Sequence, residues 1–455
     1  MFEPELEELH ALLAQEEKFL HAVRVMEYDM QTVCPPEGTD DAGDVITLLS
    51  EEAYRIRKQE RFSELVTSLY PERMQFRPGN RVLLETLHKK QLKERNMSAE
   101  QFRHFDEVNH KAYTAWLEAR EKKDYKFFQE ALAKRIKAEK QRVSLYVPDA
   151  IFPEGLYDRM LDDYEPGLTV EVMDRLFSES IPALQKLLPK ALERSAGARR
   201  DFLSIEVTDE QQRQMTEYLL DLLCFDRSRG TWGMSVHPFS DCIGPKDVRL
   251  TTYFDPQSFT SNIYSVIHEC GHSLFDQNQP AKDHEYHITG NKTMGQHETI
   301  SRFYENILGR SRAFIHLIYP KVCEIFPQVM KDVSEEELYL GVNLAEPSLI
   351  RMDADEVTYT LHIVIRYEIE KELVNGTVSA KDVPKLWNEK YREYLGVVPK
   401  NDAEGALQDN HWTENFGYFP TYAIGNFYNA MYLKEMQKEF DPFAAVAEGD
   451  FIKIR

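Results

Sequence analysis

Apolar residues recur every three or four positions through most of the first 220 residues. Leu6, Leu9, Leu12 and Leu13 keep this spacing, as do Ile46, Leu49, Ala53 and Ile56. A 3.6-residue period predicts amphipathic helices there. Breakers at Pro35-Pro36-Glu37-Gly38, Pro71, Pro78-Gly79-Asn80 and 148–155 separate the runs. Over 81–146, charges of both signs fall at helical spacing, which reads as the solvated face of long helices. The pattern changes over 230–260, which is rich in Thr, Ser, Gly, Pro and aromatics. Val248-Arg249-Leu250-Thr251-Thr252-Tyr253 alternates and predicts one short strand beside a second at 233–237. Helical spacing returns after Ser258. With no linker-like segment, we expect one mainly α domain over 1–455, mostly helical over 1–220, with a small antiparallel β element in the 221–455 part.

Composition narrows the function. The chain has 455 residues, 42% hydrophobic and 29% charged, which excludes a disordered polymer. Its net charge of −22 disfavours nucleic-acid and acidic-membrane partners, because phosphate attraction needs Lys and Arg. Five cysteines with no CxxC spacing argue against a disulfide framework or a thiolate zinc ribbon. The N-terminal stretch is acidic and amphipathic, with no basic and apolar leader pattern. No apolar run approaches the ~18 residues a bilayer span needs. The expected location is the cytoplasm.

The strongest chemical signal is His268-Glu269-Cys270-Gly271-His272 in a helical stretch. An i, i+4 pair puts both imidazoles on one helical face, where two nitrogens can bind one Zn²⁺. Glu269 sits about 100° round the helix, within reach of a water in the open coordination position. Phe275 and Asn278 occupy the places where a metzincin has glycine and a third histidine, so that class fails. A His₂Glu site takes a carboxylate from a later helix instead. Glu298 is the candidate, with Arg302 and Glu305 on its face and Ile300, Phe303 and Ile307 on another. His284, Glu285 and His287 lie in the connector as rival ligands, and Cys270 points to the opposite side as a small buried residue.

Five further motifs accompany this one in order: His237-Pro238-Phe239, Asp247-Val248-Arg249-Leu250-Thr251, His297-Glu298, Ile350-Arg351-Met352-Asp353-Ala354-Asp355, and Gly405-Ala406-Leu407-Gln408-Asp409-Asn410-His411-Trp412. Together with Glu27-Tyr28-Asp29 and Pro35-Pro36, the set resembles the M32 family of metallocarboxypeptidases, the Taq type, over nearly the whole chain. Thr299-Ile300 departs from the usual Ser-Gln or Gly-Gln, and Tyr28 stands where tryptophan is usual. The resemblance implies a two-lobed helical fold like those of neurolysin and angiotensin-converting enzyme, with the β element beside a deep groove. It also implies a homodimer that uses zinc, with cobalt as an alternative, and removes C-terminal residues from peptides.

Within that resemblance the remaining residues take expected roles. His268, His272 and Glu298 hold the metal, and Glu269 is the general base. Arg249 and Arg351 are candidates for the substrate's terminal carboxylate, which arginine can bind with two parallel hydrogen bonds. The competing role for Arg351 is a helix ion pair with Asp355, and for Arg249 an edge-strand charge. His411 with Tyr418 or Tyr422 is expected to stabilise the oxyanion, His237 to position substrate, and Asp409 to hold a histidine ring nitrogen. Two other functions use the same residues: an endo-oligopeptidase on this fold, and a catalytically silent helical scaffold.

Overall fold

The helix Glu3–Thr32 opens the chain, with Pro4 in its first turn beside Glu3 and Glu5, residue types suited to a positive helix end. It buries Leu6, Leu9 and Leu13. A 3₁₀ turn at Pro36–Gly38 follows, and the helix Thr39–Arg57 packs back on the first. The computed structural model describes residues 2–289, 293–413 and 416–455, without the side chains of Ala99 and Asp353. The proline signals of the first 155 residues fall at helix boundaries. Pro78 marks a start rather than a stop, occupying the first turn of Pro78–Glu94.

Among the described residues, three apolar clusters form. The smallest joins the first helix to Phe62, Leu65, Val66, Leu69 and Leu84. A second surrounds the helix Phe259–Gln277 with Phe314, Val322, Phe326 and Phe451. The third gathers Tyr359, Trp387, Trp412, Phe419 and Ile424 with the helices Ala99–Lys122 and Lys126–Ser144. The solvated-face reading of 81–146 fails at one point. Arg135 and Glu139 are buried as an ion pair of 2.7 Å, and Arg135 Nε donates to the Thr413 carbonyl at 2.7 Å. Helical spacing does not distinguish an exposed i, i+4 pair from a buried one.

The β element is mixed rather than antiparallel. Strands β1 (Gly230–Met234), β2 (Ser240–Gly244) and β3 (Asp247–Thr252) lie in the order β1-β3-β2. The two expected strands pair in parallel, Trp232 opposite Leu250, and the unforeseen β2 returns antiparallel to β3. β3 carries the alternating Val248 and Leu250, both fully buried, so it takes the centre, where both edges are paired. β2 is an edge strand covered by the first helix: Arg24 donates to the Ile243 carbonyl at 3.1 Å and His21 Nδ1 lies 3.1 Å from the same oxygen. Among the described residues, no helix is long and apolar enough to cross a membrane.

Candidate active site

The helix Phe259–Gln277 starts at Ser258, whose hydroxyl accepts from the Ser261 amide. It is buried on most sides, so its two histidines are held rigidly, ring centroids 4.9 Å apart. Glu298 arrives on the helix Met294–Arg302, capped by Thr293. Its Oε2 lies 3.8 Å from His268 Nε2 and 3.5 Å from His272 Nε2. Two donors about 2.0–2.1 Å from one tetrahedral ion stand about 3.3 Å apart. His268, His272 and Glu298 are therefore one small inward movement from shared coordination, with one ligand atom of each within 4.8 Å of the others. Gly271 permits this approach: a Cβ there would sit 2.7 Å from Ser301 Cα on the helix that carries Glu298.

The charges fit a cation. Burial opposes ionisation of Glu298, but the two histidines and Arg302 outweigh it and hold its pKa at about 2. Burial would lower His268, but Glu298, Glu305 and Glu269 raise its pKa to about 9. The cluster thus takes up positive charge where a metal would place it. Glu305 Oε2 lies 2.9 Å from His268 Nδ1, which orients the ring with Nε2 facing Glu298. Glu305 is itself anchored by Arg310 at 3.2 Å. Sequence reasoning put Glu305 on the Glu298 face without giving it a role; its seven-residue spacing was the available signal. Between them the helix passes into a π-helical segment, Phe303–Leu308.

Glu269 is nearly buried, 7% exposed. Burial raises its carboxyl pKa against the pull of both histidines, and the Ser240 hydroxyl of β2 is its hydrogen-bonding neighbour. Cys270 is fully buried and burial pushes its thiol up. The connector docks away from the metal donors: Tyr286 packs at Gly79 and the His287 ring lies 5.5 Å from that of His10.

A cavity of about 990 Å³ opens from these donors, lined by His268, Glu298, Arg302, Arg351, Tyr359 and Tyr422 among others. Arg351 does not pair with Asp355, which caps the turn at Val357 and Thr358 instead. Its Nη2 donates to Asp409 Oδ1 at 3.3 Å and its Nη1 to the Tyr359 hydroxyl at 3.2 Å. Tyr422 and Tyr418 share a hydroxyl hydrogen bond of 3.2 Å, and of the two Tyr422 is the one that lines the cavity. Ile300 packs on the second apolar cluster and Tyr28 is buried against Phe239.

The expectations for His411 and Asp409 do not fit, and Arg249 and His237 lie off the cavity lining. Arg249 pairs with Asp247 through two hydrogen bonds of 2.8 and 2.7 Å and lies over the Tyr28 ring. His411 is 3% exposed between Trp412 and Phe419, with ring centroids 4.0 and 4.1 Å away. Both of its nitrogens are sealed from solvent and burial drives its pKa well down; it offers no donor to the cavity. Asp409 holds arginines rather than a histidine. His237 is exposed on the loop before β2, beside Pro238, which lines the cavity.

The model of the Carboxypeptidase Taq (M32) metallopeptidase family matches residues 8–455. The chain is 35% identical over 450 residues to Carboxypeptidase 1 of Bacillus subtilis, covering 98% of this chain and 89% of that one. It is 40% identical over 351 residues to Thermostable carboxypeptidase 1 of Thermus thermophilus, covering 75% and 68%. The solved M32 carboxypeptidase from Deinococcus radiodurans R1 superposes with a TM-score of 0.93 at 29% identity, over 99% of this chain and 90% of that one. A family match across almost every residue, with relatives this similar over most of their lengths, means that the chain belongs to the M32 metallocarboxypeptidases, peptide hydrolases that depend on a divalent metal.

Proposed function

We propose that the protein hydrolyses the last peptide bond of peptides with a free C-terminal carboxylate, using one zinc ion held by His268, His272 and Glu298, with cobalt able to replace it. The observation that carries this reading is the shared cavity: His268, Glu298, Arg351 and Tyr422 all line it. A peptide whose last carbonyl lies at the metal donors has its terminal carboxylate in the same enclosure as a guanidinium. A divalent ion bound there supplies an acidified water, with a pKa near 7, and a polarised carbonyl.

The chain's own groups do the rest. Glu269 accepts a proton from the attacking water as its oxygen bonds to the carbonyl carbon. It then delivers that proton to the leaving nitrogen as the C–N bond breaks. Its raised pKa suits a group that must both take and give. The Tyr422 hydroxyl, which here donates to the Tyr418 hydroxyl, turns that proton to the developing oxyanion. Arg351 binds the terminal carboxylate, and His237, exposed beside the cavity-lining Pro238, positions the substrate. The working unit is a homodimer, as the resemblance implies.

Glu269→Gln is expected to keep its metal and lose most activity; turnover at full metal occupancy rejects the base. Arg351→Ala is expected to abolish the preference for a free-acid peptide over its C-terminal amide, and an unchanged preference rejects that role. Efficient cleavage of a peptide blocked at both ends would favour an endopeptidase.

A further inference from the structure

Arg351 does not stand alone. Behind it, on the helix Tyr359–Asn375, Arg366 is fully buried. Its Nε donates to Asp409 Oδ2 at 2.7 Å, and its Nη2 reaches the same oxygen and Gln408 Oε1, the latter at 2.9 Å. Its Nη1 donates to the His362 carbonyl at 2.8 Å. Asp409 turns its other oxygen, Oδ1, to Arg351. Gln408 holds the adjoining backbone: its Oε1 accepts from the Arg351 amide at 3.3 Å, and its Nε2 donates to the Leu349 carbonyl at 2.9 Å. The Arg351 guanidinium is also bracketed by the Phe419 and Tyr422 rings, 5.0 and 5.3 Å from their centroids.

Charge counting gives this arrangement a direction. Asp409 is the acidic partner found for Arg351 and for Arg366 among the described residues. Burial works against its ionisation, but the two arginines hold its pKa far below the usual carboxylate range. His362 and His411 are driven well down, so neither adds charge. Among the described residues, one carboxylate between two permanent cations leaves one positive charge uncompensated. Arg366 is sealed, and Arg351 reaches the cavity. Arg351 also keeps a buried Nε with no partner among the described residues. A bidentate carboxylate site needs its fork fixed before the ligand arrives, because loose side chains lose entropy on binding.

We infer that Arg366 and Asp409 are positioning residues: Arg366 pins Asp409, and Asp409 fixes the direction in which Arg351 presents its guanidinium to the substrate's terminal carboxylate. The inference rests on the carboxylate role proposed for Arg351. The test compares Asp409→Asn, Arg366→Lys and Arg351→Ala in the full-length, metal-loaded enzyme. Steady-state kinetics are run on an N-blocked dipeptide and on its C-terminal amide, with metal content and melting temperature recorded. Asp409→Asn and Arg366→Lys should raise KM for the free acid on the order of tenfold or more, with kcat little changed and the amide unaffected. A purely structural role would lower both substrates together, and that result overturns the inference. So does a preserved acid preference in folded Asp409→Asn and Arg366→Lys when Arg351→Ala has lost it. If Arg351→Ala keeps the preference, the carboxylate reading fails and the inference falls with it. Should Asp409→Asn not fold, Arg366→Lys, which retains the buried charge pair, decides the matter.

Discussion

Gly271→Ala puts one methyl group at the closest approach of the two helices that carry the metal donors. The new Cβ would lie 2.7 Å from Ser301 Cα, 3.2 Å from the Ile300 carbonyl oxygen and 3.3 Å from the Ser301 nitrogen. Ordinary carbon contacts begin at about 3.5 Å, so the backbones must part by about 0.8 Å. Metal–ligand distances tolerate about 0.2 Å, and Glu298 is three residues from Ser301 on the displaced helix. Metal affinity should therefore fall by about a hundredfold. Metal-free stability should change less: overpacking costs about 1–3 kcal/mol, offset by about 1 kcal/mol from replacing a helical glycine. Gly425→Ala is the control. It lies on the helix Pro420–Glu439, facing the other side of the Glu298 helix, where its Cβ would meet Gly295 O and Thr299 N at 3.5 Å and Glu298 Cγ at 3.7 Å. That variant should bind metal normally and gain up to about 1 kcal/mol. Chelator-competition titration measures affinity and denaturant melts of metal-free protein measure stability. A Gly271→Ala affinity within twofold of the parent would refute the close-approach argument.

Two other outcomes follow from the same geometry. Glu305→Gln keeps the shape but removes the charge that orients His268 Nδ1, so metal affinity should drop by about tenfold to a hundredfold; an undiminished affinity in the same titration rejects the orienting role. Glu370, fully buried beside His411, has its carboxyl raised by burial from 4.5 to about 7, against the Gly417 amide and Tyr157 hydroxyl that donate to it. A folded-state pKa above the unfolded one means its stabilisation is complete below about pH 4.5 and lost as pH rises to about 7, on the order of 3 kcal/mol at 1.36 kcal/mol per unit. Glu370→Gln should show a shallower loss of stability between pH 5 and 8, and parallel curves would count against it.

What the sequence conveyed depended on whether a feature is local. His268 and His272 are one helical turn apart, so their shared face follows from period alone, and Glu298 follows from the donor set such a pair requires. Arg351 was legible as a residue type inside a motif, but its partner was not: the i, i+4 rule pointed to Asp355, whereas only a three-residue 3₁₀ turn forms at Arg351–Asp353 and Asp409 is 58 residues further on. His411 misled because aromatic enclosure by Trp412 and Phe419 is a tertiary outcome. Strand β2 escaped notice because Ser-Asp-Cys-Ile-Gly has weak strand propensity; it forms because β3 offers it an unpaired edge.

That short strand has a consequence beyond the reaction. A bare row of amides and carbonyls is a template on which another chain can add itself. Here the long first helix lies across it, Arg24 and His21 meeting the Ile243 oxygen. Displacing that helix would uncover sticky backbone next to Ser240, the neighbour of Glu269, so self-association and loss of turnover should set in together.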